Sequence, residues 1–92
     1  MNAADIARMI ATEQNRFANQ LDHLSTADAK RYFALFKARY AARQLGGEAW
    51  ERYEARHAAT LAQGGPLADL LDTEAALQQA RAWAAQTHER AA

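Results

Sequence analysis

The chain has 92 residues, half of them apolar and 24% charged, with a formal net charge of zero and no cysteine. That length buries a single core and leaves little material for an enclosed active site. Neutrality excludes a surface built wholly for nucleic acid or acidic membrane, and the lack of cysteine excludes a disulfide framework or a thiolate metal site.

No stretch approaches the ~20 apolar residues of a membrane span. The amino-terminal MNAADIARMIATEQ has no basic leader followed by an apolar core, so the expectation is a cytoplasmic protein without membrane contact. Many of the apolar residues are alanine, the best helix former and a poor filler of cores. Breakers are confined to Gly46-Gly47 and Gly64-Gly65-Pro66, and no run alternates as a strand does. The predicted fold is one domain over residues 1–92, a compact all-α bundle of four or five short helices.

The first helix is expected from Ala3 to Asp22, with Asn2 as its cap and Asp5 in the first turn at the positive end of the dipole. Ile6, Ile10, Phe17, Leu21 and Leu24 fall on one face at helical spacing. Glu13 lies among them, an inward position that a carboxylate avoids unless paired.

The second helix is marked at both ends. Ser25 with Asp28 approximates a capping box, and Gly46-Gly47 supplies the stop. Ala29, Phe33, Phe36 and Tyr40 step by four, three and four, and this aromatic stripe is the expected core face. Opposite it lie Asp28, Arg31, Leu35, Arg39 and Ala42, with Tyr32 and Arg43 between the two lines. On this reading Leu35 is an accessible apolar anchor framed by two guanidiniums, the composition of a binding hot spot. Truncating Phe33 or Phe36 is then expected to cost ~3 to 5 kcal/mol, and altering Leu35 only about half a kcal/mol.

The third helix is expected over Glu48 to Gln63, with Trp50, Tyr53, His57 and Leu61 on one line. Pro66 suits the first position of a fourth helix, where its missing N–H costs nothing. From Pro66 the sequence reads either as one long helix or as a short turn to Leu71 followed by a helix capped by Asp72, and a break or kink near Asp72 is the favoured expectation. Asp69, Asp72 and Glu74 then serve dipole compensation, and their separation from the basic second helix allows pairing of two copies as a homodimer.

Three functional readings follow. The first is a non-catalytic protein–protein interaction module, an adaptor, assembly subunit or stoichiometric inhibitor, that holds a protein partner on Arg31, Tyr32, Leu35, Arg39 and Arg43. The alternative is a nucleic-acid-associated subunit using Lys30, Arg31, Lys37, Arg39 and Arg43. Inward-facing aromatics and the three acids Glu48, Glu51 and Glu54 on the would-be reading helix weigh against it. The third is a carboxylate and histidine metal site in a dimer, built from Glu13 with the E-x-x-H pair Glu54 and His57. One such pair is far from a full set. With no activated nucleophile, oxyanion device or Gly-rich phosphate loop in the sequence, neither an enzyme nor a cofactor is expected.

Overall fold

A computed structural model describes residues 2–91, with side chains through residue 87. Among the described residues the chain forms four helices and no strand: α1 (Ala3–Asp22), α2 (Thr26–Leu45), α3 (Gly47–Gln63) and α4 (Gly65–Ala91). The all-α expectation holds, and a bundle of four helices fits this content.

The helix starts are built as the sequence indicates. Asn2 Oδ1 accepts from the Asp5 N–H at 2.9 Å, and Ser25, in extended backbone, accepts from the Asp28 N–H at 3.1 Å through its hydroxyl. Each bond satisfies one of the donors that a helix start leaves orphaned. The stops are glycine-specific. Gly46 at φ 66°, ψ −168° and Gly64 at φ 70°, ψ −167° sit in a region of backbone space that only glycine enters freely. Their amides close the preceding helices on Ala42 O at 2.8 Å and Leu61 O at 3.1 Å.

The expected break near Asp72 is absent. Helix α4 runs unbroken from Gly65 to Ala91, with Pro66 in its first turn. The reason lies in its inner residues: Leu67, Ala68, Leu70, Leu71, Thr73, Leu77 and Ala80 are buried on either side of Asp72, so an apolar run continues across it while Asp72 itself stays exposed. A helix held by burial on both sides has no need of an internal cap.

The chain divides into two compact units. One is α1 together with α4 from Leu70 onward, where Ile6, Leu70, Leu71, Leu77 and Ala80 are buried. The other is His23–Asp69, the pairing of α2 with α3 closed by the first turn of α4, where Tyr32, Leu35, Ala42, Thr60, Leu67 and Ala68 are buried. The Thr60 hydroxyl is satisfied in place, donating to Arg56 O at 2.9 Å.

Candidate functional site: the outer face of the second helix

Helix α2 presents the opposite side to the one its aromatic spacing suggests. Leu35 and Tyr32 are only 4% and 6% exposed, whereas Phe33 and Phe36 are each 51% exposed and Tyr40 66%. This corrects two expectations: the aromatic stripe is not the core face, and Leu35 and Tyr32 do not lie on an accessible one.

The physical reason is size. Periodicity says which residues share a face, but α2 carries two apolar lines and the shape of the neighbour decides between them. The line through Leu35, Ala38 and Ala42 is low and lets α3 approach closely, with Ala49 facing it across the groove between the two helices. Phenylalanine rings on that side would hold the helices apart and leave voids.

Arg31 is exposed but engaged. Its guanidinium donates to Asp28 Oδ1 at 3.3 Å and to Gln63 Oε1 at 2.7 Å, tying the start of α2 to the end of α3. Arg39 is half-buried and likewise engaged. Of the five residues proposed from sequence as the partner face, only Arg43 remains exposed and without an ion pair among the described residues.

A different surface takes its place. Phe33, Phe36 and Tyr40 run along two turns of α2, with the Phe36 and Tyr40 rings 6.2 Å apart and the Phe33 ring edge-on to Tyr32 at 5.4 Å. At 100° per residue Lys30 and Lys37 border this stripe on one side and Arg43 on the other. No acid shares that arc, since the one acidic residue of α2 is Asp28 on the inner seam. Lys30 and Lys37 are exposed and make no ion pair among the described residues.

Beyond Lys37 the surface dips into an open groove of about 280 Å³ between α2 and α3. Ala38, Ala42 and Ala49 line its depth, Leu45 (77% exposed) and Tyr53 its sides, and Arg52 and Arg56 its outer edge on α3. Sequence reasoning missed this pair of arginines. The available signal was their i, i+4 spacing on the side of α3 that carries Ala49 and Tyr53, away from Glu51 and Glu54.

The proposed metal residues do not assemble. Among the described residues no three His, Cys, Asp or Glu side chains converge. Glu13 Oε1 faces Arg16 at 3.8 Å, and its Oε2, like Gln20 Oε1, is buried without a hydrogen-bond partner. Glu54 is exposed, and the His57 ring lies tilted beside Tyr53 with centroids 5.9 Å apart, in a line that continues to Trp50. No helix among the described residues is long and apolar enough to cross a membrane.

Compared with protein-family models, curated proteins and solved structures, the chain matches none, so any functional reading rests on its own geometry.

Proposed function

We propose that this chain is a non-catalytic protein-docking module of the cytoplasm, an adaptor, assembly subunit or stoichiometric inhibitor, that holds its partner on the outer face of α2. One observation carries the reading. Among the described residues the large apolar side chains left exposed are Phe33, Phe36, Tyr40 and Leu45, and all four belong to this one helix. Scattered exposed apolar residues need no explanation, but a contiguous aromatic stripe with cations beside it has the make-up of an interface core and its rim.

The test is a pull-down from nuclease-treated lysate with the wild-type chain beside a Phe33→Ser, Phe36→Ser, Tyr40→Ser variant of unchanged circular dichroism. A defined protein retained by the first and lost by the second is the expected result. Equal retention by both would remove the α2 face from the account.

Nucleic acid is the second reading, and the same exposure favours it, because aromatic rings that sit outside beside Lys30, Lys37 and Arg43 can stack on bases. Three flanking cations on a neutral chain make a short phosphate track. Retention that depends on intact nucleic acid, with a steep fall in binding as salt rises, is the result that would put this reading first.

A further inference from the structure

On the premise that α2 is a docking face, the register of that helix specifies how a partner is held. Ala29, Phe33, Phe36 and Tyr40 fall on the d, a, d and a positions of a seven-residue repeat, the spacing that keeps one line of a helix against a second helix. In the same register Lys30, Lys37 and Gln44 take the flanking e positions, and Tyr32 and Arg39 the g positions. The two flanks differ. Tyr32 is buried and Arg39 half-buried and engaged, so the g side is turned inward. Lys30 and Lys37 are exposed, one repeat apart, and make no ion pair among the described residues. The α2–α3 groove lies about 150° away around the helix and takes no part.

We propose that the stripe is one half of a heptad seam, completed by a single helix of another protein that packs along α2 as in a two-stranded coiled coil and sets carboxylates, one repeat apart, opposite Lys30 and Lys37. At the shallow crossing angle of such pairs the Phe33 and Phe36 rings insert between side chains of the facing helix. Arg43 takes the next d position and ends the apolar line with a cation. From Ala29 to Arg43 the seam runs about 21 Å, the length of roughly fifteen helical residues. A second copy of α2 does not complete it. Antiparallel pairing sets e against e, so Lys30 and Lys37 would meet their own counterparts. Parallel pairing sets e against g, where Tyr32 and Arg39 stand. Neither arrangement offers an acid, because the one acid of α2 is Asp28, which is bonded to Arg31 away from the seam.

The experiment is selection from a displayed library of peptides of about three heptads, with apolar residues at a and d and an equal mixture of Glu, Gln and Lys at e and g. The baits are the wild-type chain, a Lys30→Glu, Lys37→Glu variant and a Phe36→Ser variant. These sites are exposed, and only baits with wild-type circular dichroism and melting are used. The expected result is enrichment of Glu on one flank by the wild-type chain, and of Lys at the same positions by the charge-reversed bait. A Glu-bearing peptide should lose affinity about tenfold on either variant. Peptides that require Phe36 but show no flank preference, or keep Glu on the charge-reversed bait, would overturn the proposal and leave the docking face standing. So would a library that yields nothing above the Phe36→Ser bait while a lysate protein is still lost with Phe33, Phe36 and Tyr40. Failure of both experiments would overturn the docking face as well. A concentration-dependent oligomer abolished by Phe36→Ser would assign the stripe to a second copy, and a single-stranded oligonucleotide bound more tightly than any selected peptide at physiological salt would assign it to nucleic acid; either overturns the proposal.

Discussion

At Leu35 the side chain is almost wholly removed from water, so its truncation loses both the transfer free energy of the missing carbons and the contacts of the cavity left behind. Leu35→Ala is expected to destabilise the chain by ~2 to 5 kcal/mol. Phe36 is half in solvent and meets Tyr40 along the helix surface, so Phe36→Ala is expected to change stability by about half a kcal/mol. Urea titration of the two variants checks the pair, and equal losses would mean that α2 is rotated from the orientation described. The residues of both lines were legible in the sequence; their orientation was not. Apolar periodicity ranks faces by hydrophobicity, and by that measure two phenylalanines and a tyrosine outrank a leucine and two alanines. The choice was made by shape, through Ala49 and Tyr53 on another helix, which no local pattern on α2 encodes.

Among the helices, boundaries were the readable part, because caps and stops are local chemistry. Asn2, Ser25, Gly46 and Gly64 do their work within a few residues of themselves, by side-chain acceptance or by backbone angle. Gly46→Ala tests the second kind. Nothing lies within 4 Å of where its Cβ would stand, so the whole penalty is conformational, ~1 to 3 kcal/mol, without crowding to confuse it. A Gly46→Asn chain should lose about as much, since asparagine's tolerance of positive φ belongs to the left-handed helical region and does not extend to ψ −168°. Asp72 misled for the opposite reason: an acid followed by Thr73 and Glu74 has the local look of a cap, while the burial of Leu70, Leu71, Thr73 and Leu77 that carries the helix past it is a property of the folded chain. Proline at this exposed position separates the two arrangements. In a continuous helix Asp72→Pro loses a backbone hydrogen bond and collides with the preceding turn, for ~3 kcal/mol, whereas Asp72→Ala should cost about half a kcal/mol or less. Were Asp72 a cap, the alanine variant would instead lose ~1 kcal/mol and the proline one would be better tolerated.

For the molecule as a whole, the zero net charge conceals an arrangement of charge that composition cannot report. The sequence singled out the helix that carries the exposed aromatics and named three cations beside them, Lys30, Lys37 and Arg43. It missed Arg52 and Arg56, because the groove they edge exists only when α2 and α3 pack. In an arrangement of apolar centre and cationic edge the two parts should act on different steps of binding. Exposed charges at a rim mainly set how often partners meet, and the apolar centre sets how long they stay. With the partner retained in the pull-down as ligand, Lys30→Gln with Lys37→Gln is therefore expected to lower the association rate several-fold and leave dissociation nearly unchanged. Added salt should reproduce that effect on the wild-type chain, since it screens charges more than about 10 Å apart at 0.1 M. Phe36→Ala should do the reverse, raising the dissociation rate about tenfold with little change in association. Stopped-flow or surface-based kinetics read both rates directly. If the lysine changes acted on dissociation instead, these charges would be buried contacts in the complex, and the partner would have to wrap farther around α2 than one helix laid along the stripe can reach.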